Sequence, residues 1–246
     1  MTVTQFVWFY ITAPDNGEEL RLSMASVRKH FTGEPKFLVV GEKPAWFDGP
    51  HFALRQFKGI NDSLSRMPYR DTQHRIMQCA TSDLVDEQFV WMMDDVVFLK
   101  PTTLKEIQIP RHDPWHRENV TTAWNQLIKI TFAALRKAGK PTLQYGTHAP
   151  HVFKKSNLRQ MFDDFEFPAT LLLFEILYGN LYYKSDKAVP FAGTLDGIEY
   201  PNYLKRVVKP MTRQQLDAMD VNVLNWKQKC WTPTLKLWVQ QKLEMD

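Results

Sequence analysis

Cysteine is scarce in this chain. Only Cys79 and Cys230 occur among 246 residues, too few for a disulfide framework. Long apolar runs are missing too: Ala169 to Leu177 is broken by Glu175 and falls well short of the ~20 residues a membrane span needs, so it predicts a core helix or strand and no membrane partner. The segment Met1 to Ile11 lacks the basic region and long apolar core of a signal peptide. Together these absences predict a cytoplasmic protein. No internal repeat, low-complexity linker or composition break divides the chain, which predicts a single domain over residues 1–246. Charge of one sign is not strongly in excess either. The formal net charge is +4, but basic residues recur through the second half, among them Lys154, Lys155, Arg159, Lys205, Arg206, Lys209, Arg213, Lys227 and Lys229. They make either a scattered solvated surface or a positive face that attracts phosphates of a sugar nucleotide or a nucleic acid.

What is present is enough for a large core. A chain of this length should bury roughly 70–75% of the surface its unfolded form exposes. Eight Trp and sixteen Phe suggest aromatic packing and an aromatic-lined cleft.

The sharpest local contrast is the apolar stretch Phe89-Val90-Trp91-Met92-Met93, followed by Asp94-Asp95 and then Val96-Val97-Phe98-Leu99. The apolar run lacks in-out alternation, which predicts a strand covered on both faces, as in a mostly parallel sheet flanked by helices. Aspartate is disfavoured within strands and rarely buried unpaired, so Asp94 and Asp95 should mark the strand's carboxyl end. In open α/β sheets that end opens into the ligand crevice. Hard divalent cations prefer carboxylate oxygens, and a cation so held can neutralise a diphosphate. Successive strand side chains point to opposite faces, so a bend is needed to aim both aspartates at one ligand. The plainer alternative is a turn in which the two aspartates cap local amides.

The rest of the chain reads as α/β. Phe6 to Ile11 predicts a first strand. A helix with Leu20, Met24, Val27 and Phe31 on one face follows, with Glu18 and Glu19 in its first turn and Arg28, Lys29 and His30 in its last, matching the helix dipole at both ends. Phe37 to Gly41 predicts the next strand, a βαβ beginning that implies a right-handed crossover and parallel pairing. Phe52 to Phe57 reads as a further short strand. Asn61 to Asp71 is polar and precedes a helix whose buried stripe is Ile76, Cys79, Ala80 and Leu84; Arg70 and His74 share another face of it. Arg111 to Arg117 has no periodicity and reads as a loop. Trp124 to Leu135 is an amphipathic helix stopped by Gly139 and Pro141. His148-Ala149-Pro150-His151 is a loop able to present imidazoles, a weak metal signal by spacing alone. Ser156 is the expected N-cap of a helix carrying Leu158, Met161, Phe162 and Phe165. Thr212 with Gln215 has capping-box spacing, and Thr232-Pro233 places a cap before a first-turn proline of the last helix.

Several of these segments, in order, resemble the glycosyltransferases of the GT-A fold, and in particular the Stealth group of sugar-phosphate transferases. Leu22-Ser23-Met24-Ala25-Ser26-Val27 is similar to that group's early helix, and Lys36 to Trp46 to its following strand with a Pro-Xaa-Trp turn. Met93-Asp94-Asp95-Val96-Val97-Phe98-Leu99 is similar to its Asp-Asp-Xaa-Phe-Leu strand, and His148-Ala149-Pro150-His151 to its His-Xaa-Pro-His loop. The similarity spans roughly residues 6–160. It departs at Met93, where such families often carry another acidic or amide residue, and at Phe9-Tyr10-Ile11-Thr12, where the opening aspartate motif is absent.

The resemblance implies a Rossmann-like GT-A fold and transfer of a sugar from a nucleotide-sugar donor to a hydroxyl acceptor, with a divalent metal, Mn or Mg, as cofactor. Asp94 and Asp95 would hold the metal with His148; Arg66, Arg70, Lys154 and His151 would meet the donor phosphates; and Asp62, Asp71 and His74 are candidates for the base. Acceptors include saccharides, proteins and hydroxymethylated bases in DNA, as with some phage enzymes of this broad fold. The alternatives are a Stealth-like sugar-1-phosphate transferase and a non-catalytic nucleotide- or nucleic-acid-binding module.

Overall fold

The computed structural model describes residues 3–12, 16–57, 67–113, 122–190, 192–194, 197–200 and 203–245. In chain order its elements are β1 (Val3–Tyr10), α1 (Glu18–His30), β2 (Glu34–Gly41), β3 (His51–Ala53), α2 (Met67–Thr81), β4 (Gln88–Met92), β5 (Val96–Phe98), α3 (Leu104–Ile107), β6 (Arg111–His112), α4 (Ala123–Lys137), β7 (His151–Lys154), α5 (Lys155–Asp164), α6 (Phe174–Tyr182), β8 (Val189–Pro190), β9 (Ala192–Thr194), β10 (Gly197–Tyr200), β11 (Leu204–Val207), α7 (Arg213–Asp217), β12 (Val223–Trp226) and α8 (Pro233–Leu243).

The chain is mixed α/β, with a mostly parallel central sheet. That sheet runs β3-β2-β1-β4-β7; β3, β2, β1 and β4 are parallel, and β7 closes the edge antiparallel to β4. Both faces are covered, which is why its strands lack alternation. On one face Val7, Leu38, Val40, Phe89 and Trp91 pack with Ile76, Cys79 and Ala80 of α2, Leu127 and Ile128 of α4, and Leu158 and Met161 of α5. On the other, Phe6, Trp8, Val39, Val90 and Met92 pack with Leu20, Met24 and Val27 of α1.

A second sheet, β5-β12-β11-β10-β9, is built from strands of three or four residues. Its Val97, Leu224 and Trp226 pack with Trp238 and Val239 of α8. β4 and β5 are consecutive in sequence but belong to different sheets, so Met93-Asp94-Asp95 is the point where the chain crosses between them. The expected bend at the aspartates is this crossing.

Local signals place most elements where the sequence puts them. Thr212 and Gln215 form a reciprocal capping box, and Thr232 caps α8 ahead of Pro233. Four expectations need correction. Arg111 to Arg117, read as a loop, begins with the strand β6, whose Arg111 and His112 pair with Val189 and Pro190 of β8; residues 114–117 lie outside the described residues. The strand expected over Phe52 to Phe57 is only His51–Ala53, because its partner β2 ends at Gly41, opposite Ala53; Phe57 N donates instead to Asp71 Oδ1 at 2.6 Å. Ser156 does not cap α5: Lys154 is the N-cap and Ser156 N donates to Glu87 Oε1 at 3.0 Å. Leu84 lies 53% exposed beyond the end of α2 and is not part of its buried stripe.

One buried ion pair ties α2 to the carboxyl ends of the central strands. Arg75 Nε donates to Asp71 Oδ2 at 2.7 Å, with both side chains 3% exposed or less. Arg75 Nη1 also donates to Val40 O at 3.0 Å and Tyr10 O at 3.3 Å, closing the ends of β2 and β1. Gly41, at φ 115, leaves the room this requires, since a Cβ there would fall 1.5 Å from Arg75 Nη1. Removing one member of such a pair strands a buried charge. Arg75→Met is expected to cost about 3–5 kcal/mol in denaturant unfolding, and Arg75→Met with Asp71→Asn less than Arg75→Met alone. A loss below about 1 kcal/mol for Arg75→Met would show that the clamp does not hold these strand ends.

Candidate functional site

The crossing at Met93–Asp95 is fixed by small side chains of α1 and by β12. Ser23 Oγ accepts from Trp8 Nε1 at 3.0 Å and donates to Met93 O at 3.4 Å. Ser26 Oγ accepts from Phe98 N at 2.9 Å and donates to Ser23 O at 2.7 Å. Asn225 Nδ2 of β12 donates to Asp95 O at 3.0 Å. Both backbone limbs of the turn are therefore bonded, and the two carboxylates are carried at the carboxyl end of β4.

They open into a cavity of about 590 Å³. Asp94, Asp95, His148, Arg206 and Lys227 line it together with Phe9, Tyr69, Trp91, Trp124, Phe174 and Glu175. Asp95 Oδ1 is sealed from solvent and has no hydrogen-bond partner among the described residues. Burial, then the neighbouring Asp94 charge, push its pKa up to about 7, against the pull of Arg206 and Asn225. His148 has a left-handed backbone, φ 51, a conformation non-glycine residues seldom adopt and one that clusters at functional sites. Its Nδ1 is likewise sealed and without a partner. Burial, then the Arg206 charge, hold its pKa down to about 3, so the imidazole is neutral and able to act as a ligand or acceptor.

These groups form the polar end of the cavity, where Asp95 and Arg206 feel each other's charge and Arg206 and Lys227 act on His148. The other end is aromatic. Tyr69 meets Trp124 with ring centroids 5.6 Å apart, and Phe174 meets Trp91 edge-on at 5.2 Å. Gly146 admits Trp124 to this wall, since a Cβ there would lie 2.8 Å from the indole. Among the described residues Glu175 is the one carboxylate at this end. It is 6% exposed, and burial raises its pKa to about 7 even though its own backbone N–H bonds it.

Of the residues singled out in the sequence, the structure brings Asp94, Asp95 and His148 to one cavity. It does not bring His151, Arg70, His74 or Lys154 there. His151 pairs with Trp91 in the sheet and stacks on Phe153 at 5.7 Å, because β7 is buried on both faces over its first three residues. Arg70 donates to Pro168 O at 2.9 Å and lines a separate cavity beside α4 and α5. His74 stacks on Phe57 at 5.0 Å. Lys154 is exposed and pairs with Gln88, at the amino end of β4 and so far from its aspartates. Asp71 is taken up by Arg75. Asp62 and Arg66 lie outside the described residues.

Among the described residues, no group of three His, Cys, Asp or Glu side chains could hold a metal ion by itself. Asp94, Asp95 and His148 are thus not a closed cage. The donor set nonetheless suits a hard cation that takes its remaining oxygens from a ligand, and the orphaned Asp95 Oδ1 is an acceptor such a cation would satisfy. Arg206, Lys227, Asn225 and Glu175 are the residues that sequence reasoning did not place here. The interruption of an apolar run by Glu175 was a visible signal; the other three come from short strands of the second sheet, or just past them, whose pairing is not local. No protein-family model matches the chain, and a search of curated proteins finds no match. Among the described residues no helix is long and apolar enough to cross a membrane.

The Glu175 carboxyl binds its proton more tightly folded than unfolded, so between pH 4.5, its ordinary value, and about 7 the folded protein holds more protons. Stability from this group is full below that window and falls as pH rises through it. Glu175→Gln should therefore raise the melting temperature at pH 8, by up to about 3 kcal/mol in stability, with the gain vanishing near pH 4. A gain independent of pH would place the carboxyl in solvent.

Proposed function

We propose that this chain is a GT-A-type glycosyltransferase that moves a sugar from a nucleotide-sugar donor to a hydroxyl acceptor. The observation that carries this reading is the pair Asp94-Asp95 at the carboxyl end of a central parallel strand, facing a cavity that is ionic at one end and aromatic at the other. An anionic diphosphate belongs at the ionic end. Arg206 and Lys227 neutralise the charge that develops on it as it leaves, the electrostatic stabilisation that contributes most in such sites. His148, its imidazole neutral and one ring nitrogen free of a proton, accepts or coordinates there. The aromatic end, with Tyr69, Trp124 and Phe174, offers ring faces to a sugar or a base and keeps water from the reacting carbon.

A divalent cation, Mn or Mg, held by Asp94 and Asp95 with His148 nearby, would supply further neutralisation of the diphosphate. Asp95 contributes an oxygen, Oδ1, that is sealed from solvent. The acceptor is a hydroxyl on a ring that can lie against the aromatic wall; hydroxymethylated bases in DNA belong to this class, presented as an extruded base.

Nucleoside diphosphate release should be followed with a panel of nucleotide sugars, Mn, and either oligosaccharides or hydroxymethylated DNA. Asp94→Ala and Asp95→Ala are expected to lower turnover by at least about 100-fold while the protein stays folded, with His148→Ala weaker. Wild-type turnover in both aspartate variants would sink the assignment. Release of a nucleoside monophosphate instead would move the reaction to sugar-1-phosphate transfer, and nucleotide binding without turnover would leave a binding module.

A further inference from the structure

Among the described residues Glu175 is the one carboxyl group lining the cavity that the diphosphate end does not use. It sits in the first turn of α6, almost wholly buried, and lines the same cavity as Asp94 and Asp95. Among the described residues its carboxylate forms no salt bridge, and its only hydrogen bond is to its own backbone N–H. A carboxylate buried this way costs stability and has no structural partner to offset it. Such groups mark sites where chemistry requires them.

Its neighbours fix which end of the cavity it serves. Tyr69 of α2 feels its charge, Tyr69 packs on Trp124 of α4, and Phe174 beside it packs on Trp91 of β4. At the other end Asp95 feels the charges of Asp94 and Arg206, and the neutral His148 feels those of Arg206 and Lys227. A sugar held between the two ends would present its anomeric carbon with the diphosphate toward Arg206 and the incoming hydroxyl toward Glu175.

Resting on the glycosyl-transfer reading, we propose that Glu175 is the catalytic base that takes the proton from the acceptor hydroxyl. The acceptor oxygen forms the new bond to the anomeric carbon, and its proton passes to the Glu175 carboxylate. The bond between that carbon and the diphosphate oxygen breaks, with its electron pair leaving on the diphosphate. Attack from the end opposite the leaving group inverts the anomeric configuration. The titration of Glu175 near neutral pH suits this role, since a base works best with a pKa near the working pH.

The test compares wild type, Glu175→Gln and Glu175→Asp at saturating Mn. It reads nucleoside diphosphate release, the pH profile, the product's anomeric configuration, and calorimetric binding of UDP with Mn. The expected result is a fall in Glu175→Gln turnover of at least about 100-fold with UDP–Mn affinity within about twofold. Wild-type kcat/KM should rise with pH through about 7, this limb should be absent from the residual Glu175→Gln activity, Glu175→Asp should keep part of the rate, and the product should be inverted. Unchanged turnover in Glu175→Gln, or a retained configuration, overturns the role of Glu175 while the transferase reading stands. Loss of UDP–Mn binding together with turnover places Glu175 at the donor end and also overturns it. A wild type that neither binds UDP–Mn nor releases nucleotide from any donor overturns the transferase reading, and this inference with it.

Discussion

The cost of burying Asp95 governs the architecture around the cavity. A carboxylate with an oxygen sealed from water needs compensation, and here it comes from elements far apart in sequence. Arg206 of β11 supplies charge, Asn225 of β12 holds the Asp95 carbonyl, and Ser23 and Ser26 of α1 bond the backbone on either side of the turn. The second sheet is therefore more than a cover for the first. Its short strands carry the cation and the amide that make the turn tolerable, and β5 enters it directly from Asp95. The compensation is partial, since burial still raises the pKa of Asp95, and a group left in that condition favours a cationic ligand.

The central sheet shows the complementary device. Asp71 and Arg75 form a buried pair, and Nη1 of the guanidinium donates to the carbonyls that end β1 and β2. That clamp and the Ser23–Ser26 contacts act at the same carboxyl edge of the sheet, one on each face. The edge is held rigid where the cavity begins, as a site needs if its geometry is to be set before a ligand arrives.

Elements whose pattern is local were legible in the sequence. β1, β2, β4, α1, α4 and α8 follow from apolar runs, helical spacing, dipole-matched ends and caps, and all lie where those signals put them. The site was legible in part. Asp94 and Asp95 stood out because two acids interrupt a buried strand, and His148 because of its loop. What escaped depends on pairing at long range: β5 with β12 and β11 with β12 are stretches of three or four residues with no period long enough to detect. Arg206 and Asn225 are carried by them, and Lys227 directly follows β12. His151 and His148 lie three residues apart, yet a strand begins at His151 and turns its ring into the sheet. Spacing in sequence could not separate them; the cavity does, since His148 lines it and His151 does not.

The most direct test of the central claim, that the Asp94-Asp95 turn is the floor of a nucleotide diphosphate site, is a crystal structure of the protein with Mn and UDP, with anomalous scattering recorded at the manganese edge. The claim predicts a manganese peak against the Asp94 and Asp95 carboxylates, with the diphosphate between it and the side chains of Arg206 and Lys227. UDP bound in the other large cavity beside α4 and α5, or manganese ordered elsewhere with both aspartates facing only protein, would contradict it.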